Sequence, residues 1–267
     1  MKTEVSAAPI GVFDSGMGGL TVLRALHKRL PHERYLYLGD NARLPYGTKS
    51  ARTVIRYAEQ AAETLVERGV KALIIACNTA SGVALHELQT RFASIPVIGV
   101  IEPGAIAAAA AERRNVIVLA TESTVAAGAY QRALLAQNNQ LKVRARSCPL
   151  WVTLAEMGPQ PPAFTEQILR AGVCGLDALE STTFVLGCTH FPVFRSQLED
   201  LLPTSIVVDS AETTATAVHE ILKAQNMLNA QDAGAIEFLA TDGGERFARV
   251  GQYFLGRQID HVSVVDL

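Results

Sequence analysis

A mostly parallel α/β fold, with helices on both faces of its sheet, is predicted by three features of the chain. Short β-branched runs alternate with longer amphipathic stretches almost from end to end, the mark of strand–helix–strand units. Polar residues gather where those runs stop. The opening unit also has a faint echo further on: Ile10-Gly11-Val12-Phe13-Asp14-Ser15 resembles Val116-Ile117-Val118-Leu119-Ala120-Thr121, and a helical pattern containing Arg-Ala-Leu follows each. Two similar α/β units meeting at their ligand-binding edges would account for that echo.

The first strand is expected at 10–14 and runs into a glycine turn, after which 20–30 has helical spacing. Strand 35–38 leads to the turn-rich loop Asp40-Asn41-Ala42-Arg43-Leu44-Pro45-Tyr46-Gly47, with a helix beginning near Thr48 and clearest over 54–68. Strands at 72–76 and 97–100 flank a helix at 83–92. The second half repeats the pattern with strands at 116–119, 143–146, 183–186 and 206–208, and a helix at 126–137. Gly158-Pro159-Gln160-Pro161-Pro162 reads as a loop inside this unit rather than a linker. Helix 211–223 and strands 236–239 and 262–265 complete the chain.

At 267 residues the chain suits one large domain or two small ones, each able to bury a core. A formal net charge of −2 and the lack of a basic stripe interleaved with aromatics give no electrostatic reason to expect nucleic acid or an anionic membrane as partner. Residues 1–9 carry no signal-peptide pattern, and the most apolar stretch, 96–111, is broken by Glu102-Pro103-Gly104. A cytoplasmic location is expected. Four cysteines (Cys77, Cys148, Cys174, Cys188) do not form a disulfide framework in a chain of this size, so reduced thiols are expected.

Asp14-Ser15, Asp40-Asn41, Cys77-Asn78-Thr79, Glu102, Thr121, Cys188-Thr189-His190 and Asp209-Ser210 all follow strand ends. In open α/β sheets that edge binds ligands, although any one such residue can simply cap its helix. The loop Asp14-Ser15-Gly16-Met17-Gly18-Gly19-Leu20 lacks the spacing of a dinucleotide or Lys-containing phosphate loop. Asp14 would also repel a phosphate, so an amino-acid ammonium fits better there. Pro45 and Gly47 fix the backbone around Tyr46, which can present its N–H groups and ring to a ligand.

Cys148 and Cys174 read as ordinary small hydrophobes. Cys77 and Cys188 differ, because each closes an apolar run and opens a polar triplet where a helix begins. A helix N-terminus or a nearby cation lowers a thiol's pKa from about 8.5. A shift of one unit corresponds to about 1.4 kcal/mol, which a helix terminus and hydrogen bonds can supply. His190 can tune Cys188 or donate to a ligand. Cys188-x-His190 plus Cys77 also offers three metal ligands, but no Cys-x-x-Cys or His-x-x-x-His pair supports that. A Cys188–His190 hydrolase would leave Cys77 unexplained.

Two matched thiols suit racemisation. One base per face can take the α-proton from one side and return a proton to the other without turning the substrate over. Helix starts at Asn78-Thr79 and Thr189-His190 can bind the α-carboxylate and stabilise the carbanion. No Lys-centred motif points to pyridoxal phosphate.

Four blocks carry a resemblance: Val12 through Leu20, Gly39-Asp40 through Pro45-Tyr46-Gly47, Ala76-Cys77-Asn78-Thr79-Ala80-Ser81, and Gly187-Cys188-Thr189-His190-Phe191-Pro192. In this order and spacing the chain resembles the glutamate racemases of the aspartate/glutamate racemase family over nearly its whole length. The resemblance implies two pseudo-symmetric α/β domains, 1–98 plus 209–267 and 99–208, with the active site in the cleft between them. It implies interconversion of L- and D-glutamate with no cofactor and no metal, supplying D-glutamate for peptidoglycan synthesis and cell-wall biogenesis. By motif, Cys77 would deprotonate D-glutamate and Cys188 L-glutamate. Asp14 and Ser15 would meet the amino end, Asp14 assisting Cys77, and Tyr46 and Gly47 would hold the side-chain carboxylate. Asn78, Thr79, Thr189 and His190 would complete the site, with His190 assisting Cys188, and Glu156 matches a further acidic position. Some members carry an N-terminal extension tied to activation by a cell-wall precursor; only nine residues precede Ile10 here, which leaves that regulation in doubt.

An aspartate or broader acidic-amino-acid racemase would use the same thiols with a shorter cavity. An amino-acid-binding module, or a racemase that also binds a macromolecule, stays open as well. Oligomeric state is not fixed by the sequence, and a homodimer remains an option.

Overall fold

Ile10, Val12 and Ile74 join one hydrophobic cluster, while Phe13, Leu73 and Ile75 join another, and all six are buried. Successive side chains of a strand point to opposite faces, so these strands are covered on both sides, as parallel sheets are. The structure is a computed structural model that describes residues 6–176, 181–230 and 234–267. Residues 1–5 of the N-terminal stretch discussed above lie outside it.

The first half runs β1 (Ile10–Asp14), α1 (Leu20–Arg29), β2 (Tyr35–Gly39), α2 (Ala51–Glu67), β3 (Ala72–Ile75), α3 (Asn78–Arg91) and β4 (Val97–Gly99). Helix α4 (Ile101–Ala110) leads to β5 (Asn115–Ala120), α5 (Glu122–Ala127), α6 (Ala129–Gln137), β6 (Lys142–Ser147), α7 (Pro149–Glu156), α8 (Pro162–Val173), β7 (Thr182–Gly187), α9 (Arg195–Leu201) and β8 (Ile206–Asp209). Then α10 (Ser210–Ala224), β9 (Ile236–Ala240), α11 (Gly244–Leu255) and β10 (Ser263–Val264) return to the first sheet.

All strand pairs among the described residues are parallel. One sheet has the order β10-β9-β2-β1-β3-β4 and the other β6-β5-β7-β8. The run β2-β1-β3-β4 is therefore the run β6-β5-β7-β8 repeated, with the echoing segments as central strands β1 and β5. Cys77 follows β3 and Cys188 follows β7, which are equivalent strands. That equivalence puts the two thiols at matching places.

A single apolar cluster crosses between the sheets, taking Ile10 and Val12 from one and Ile117, Leu119, Phe184 and Leu186 from the other. Helix α10 packs against both α1 and α4, bridging the halves. Below the first sheet, the buried Lys71 ammonium pairs with Glu33 and donates to the Met227 carbonyl at 2.8 Å. This paired buried charge anchors the returning segment to the sheet; removal of one partner alone would strand the other charge at a cost of about 3–5 kcal/mol.

Several helices depart from the expected pattern. Helix α4 forms across Glu102-Pro103-Gly104 because Pro103 lies in its first turn, where no intrahelical N–H is required. The stretch 126–137 divides at Gly128, which adopts φ +64 and ends α5 before α6 begins. Helix α3 starts at Asn78 rather than 83, and α2 at Ala51, with the Ser50 side chain accepting from the Thr53 N–H. Among the described residues no helix is long and apolar enough to cross a membrane.

Candidate active site

Parallel register carries the two central strands into the site side by side with the thiol strands. Phe13 faces Ile75 and Ala120 faces Gly187, so continuing each pair sets Ser15 beside Cys77 and Thr121 beside Cys188. The contacts agree on the first side: Cys77 Sγ lies 3.5 Å from Ser15 Oγ. Cys77 is also the N-cap of α3, its sulfur accepting from the Ala80 N–H at 3.5 Å. Cys188 precedes a 3-10 turn at Phe191–Phe194, with its Sγ 3.7 Å from His190 Nδ1.

Both cysteines line one cavity of about 250 Å³, together with Ser15, Tyr46, Gly47, Asn78, Thr79, Glu156, Thr189 and His190. Of the site residues the resemblance implies, all but Asp14 are gathered there. Asp14 stands behind the wall, fully buried, its carboxylate accepting from the Gly16 N–H at 3.0 Å and the Thr189 hydroxyl at 3.4 Å. Of the other strand-end residues, Asp209 caps α10 through the Ala211 N–H, and Glu102 is an exposed first-turn residue of α4.

The glycine loop does not cradle a ligand phosphate. A Cβ on Gly18 would stand 2.5 Å from both His190 Nδ1 and Thr189 Oγ1, so the missing side chain lets the second half's thiol turn lie directly on the first half's loop. The Thr21 hydroxyl reinforces this by donating to the Thr189 carbonyl at 2.8 Å. The Tyr46 hydroxyl is bound by Asp40, which also accepts from Arg43 at 2.6 Å and Thr241 at 2.9 Å. Tyr46 therefore offers the cavity its ring and backbone rather than its phenol. Ser123 of α5 donates to the Gly47 carbonyl at 2.7 Å, closing this loop against the second half.

Electrostatics separate the two thiols. Burial, then the Asp14 carboxylate, push the Cys77 thiol up to about 12, against the hydrogen bonds with Ser15 and the Ala80 N–H. The helix start is overruled here by desolvation. Asp14 itself is raised by burial, despite His190 and the N–H groups of Gly19 and Gly16. Burial would depress His190, but its bonds to Cys188 and to Glu156 outweigh that and lift it to about 10. Its Nε2 lies 3.2 Å from Glu156 Oε1, and Arg246 of α11 donates to Glu156 Oε2 at 3.2 Å. Burial works to raise Glu156, yet those two partners hold it below the usual carboxylate range.

The remaining lining is rich in donors. Thr79, Thr121 and Thr124 form a hydroxyl triangle with sides of 3.1, 3.2 and 2.9 Å. Among the described residues that line the cavity there is no lysine or arginine. An anionic ligand would thus be met by hydroxyls, the Asn78 amide, helix-start N–H groups and the His190 cation. Helix α7 brings Val152 and Thr153 to the same wall; Trp151 pins it, buried and edge-on to Phe191 at 5.1 Å, a packing whose loss to alanine costs about 3–5 kcal/mol. The short α7 and Arg246 escaped the sequence reading, whereas Thr121 was flagged by its strand-end position alone. No group of three or more His, Cys, Asp or Glu among the described residues is arranged to hold a metal ion.

A pair of parallel α/β sheets brings one thiol from each half to a shared, donor-rich cavity. Residues 11–218 match the Asp/Glu/hydantoin racemase family, and the chain belongs to that family. A glutamate racemase of Geobacter metallireducens is 44% identical over 261 residues, covering 97% of this chain and 96% of its own. Among solved structures, a glutamate racemase of Bacillus anthracis aligns with a TM-score of 0.93 at 36% identity. One from Francisella tularensis, in complex with D-glutamate, aligns at 0.90 and 33%; both alignments cover 98% of each chain.

Proposed function

We propose that this protein is a glutamate racemase that interconverts L- and D-glutamate and so supplies D-glutamate for peptidoglycan synthesis. The observation that carries it is the placement of Cys77 and Cys188 at equivalent strand ends around one donor-rich cavity. The glutamate racemases similar to it over nearly full length support the choice of substrate. The division into 1–98 with 209–267 and 99–208 belongs to the same proposal, supported by the separate sheets of β1–β4 with β9–β10 and of β5–β8.

Glutamate lies with its α-carbon between the sulfurs. Asn78, Thr79 and Thr189 meet the α-carboxylate at the two helix starts, and the N–H groups of the turn at Tyr46–Thr48 meet the side-chain carboxylate. The ammonium rests on the Ser15 side, adding a cation where the buried Asp14 otherwise acts alone on Cys77. In one direction Cys188, beside the His190 cation, takes the α-proton of L-glutamate, and the Cys77 thiol returns a proton to the other face. In reverse, Cys77 accepts and Cys188 donates. The charge that builds on the carboxylate in the carbanion is met by fixed N–H and O–H donors of the cavity wall.

Circular dichroism with each enantiomer of glutamate and aspartate tests this, run alongside α-deuterium incorporation from heavy water. Racemisation of glutamate in both directions is expected. Exchange on aspartate alone would overturn the choice of substrate, and binding without turnover would overturn the enzyme.

A further inference from the structure

Tyr130 of α6 touches both thiol turns without lining the cavity. Its ring lies on Gly187, immediately before Cys188, where an added Cβ would stand 3.0 Å from Tyr130 Cε2. Its hydroxyl donates to Asn78 Oδ1, immediately after Cys77, at 2.7 Å. The side chain is wholly buried, and burial raises its phenol well above the ordinary tyrosine value, so it stays a donor throughout the working pH range.

The other end of the same amide is unusual. Asn78 Nδ2 is buried and has no hydrogen-bond partner among the described residues, although Asn78 belongs to the cavity wall. A carboxamide has one accepting and one donating end. With the Tyr130 hydroxyl donating to Oδ1, Nδ2 is the end available to an anion. Buried donors are rarely left unpaired unless a ligand or water completes them.

We propose that Tyr130 is a positioning residue of the racemase site: it holds the Asn78 amide with Nδ2 toward the substrate carboxylate and fixes the reach between the two thiol turns. The assignment rests on the glutamate racemase activity proposed above. Its hydroxyl governs the amide, and its ring, seated where Gly187 has no side chain, governs the spacing.

The test is Tyr130→Phe, which keeps the ring and removes the hydroxyl, assayed with Asn78→Ala and the double variant. KM for glutamate should rise about tenfold in Tyr130→Phe while kcat changes less than about threefold, the split expected when ground-state binding is lost. In the Asn78→Ala background the same change should have no further effect, because the contact is already gone. A Tyr130→Phe variant with wild-type KM, or effects that multiply in the double variant, would overturn the assignment and leave a packing role only. Wild-type protein inert toward glutamate would instead overturn the activity itself, whatever Tyr130 does.

Discussion

Cys77 and Cys188 stand at the same point in two copies of one strand order, and their surroundings are opposite in charge. Behind Cys77 lies a buried carboxylate, Asp14, and the thiol is pushed up to about 12. Beside Cys188 lies His190, held cationic up to about 10 with Glu156 and Arg246 in line behind it. The repeated backbone delivers two sulfurs to one cavity, but the side chains behind them keep the Cys77 thiol protonated and set the His190 cation beside Cys188. In the proposed reaction, Cys77 would rely on the substrate's ammonium for a comparable cation. Geometric symmetry is inherited from the fold, and chemical asymmetry is written by the residues behind it.

Removing either sulfur has the largest expected effect. Cys77→Ala and Cys188→Ala should each lower racemisation by about 10²–10⁴-fold, the usual contribution of a positioned acid or base, measured by circular dichroism in both directions. A variant with full turnover would end the two-thiol account.

Glu156→Gln strikes only the Cys188 side. It removes one of the two partners that raise His190, so the alkaline limb of kcat should move down from about pH 10; a one-unit shift gives about a twofold loss at pH 9 and approaches about tenfold only above about pH 11. The same change bears on stability. His190 binds its proton more tightly folded, at about 10, than unfolded, at 6.5. Its contribution is therefore complete below about 6.5 and is lost as pH rises through about 10. In Glu156→Gln that contribution should be smaller and its loss complete at lower pH, as melting curves between pH 6 and 10 would record. Arg246→Ala should shift the same limb by less, with a loss under about twofold at pH 9, because its ion pair is half exposed and screened.

Asp14→Asn acts on the Cys77 thiol, more gently, while also weakening the contact with Thr189. It deletes the second cause of the raised thiol while the larger one, burial, stays. Alkylation of Cys77 should therefore shift to lower pH without reaching ordinary thiol behaviour. An unchanged pH dependence would mean that Asp14 does not act on Cys77.

Most of the strands were legible because a doubly covered parallel strand is a short β-branched run, and little else in the chain looks like 10–14 or 183–186. The thiol sites were legible because polar triplets at strand ends stand out against those runs. Helices α4, α7, α8, α9 and α11 were not. Helix α7 has only eight residues and leaves Leu150 exposed, so it shows no clean apolar stripe. Arg246 gains its meaning only when the returning chain brings α11 against Glu156, a contact between residues 90 apart in sequence. The Cys77 thiol was expected to be lowered by its helix start, but how much water a fold removes from a sulfur is not visible in residue order. Asp14 was placed at the substrate for the same reason: a strand-tip aspartate looks alike whether it faces the cavity or stands behind Thr189.

Proton exchange in heavy water by the two single-cysteine variants tests the central claim most directly. With only Cys188 left, Cys77→Ala should wash deuterium into the α-position of L-glutamate without inverting it, and Cys188→Ala should do the same to D-glutamate alone. Exchange of both enantiomers by one variant would contradict sulfurs set on opposite faces of the α-carbon.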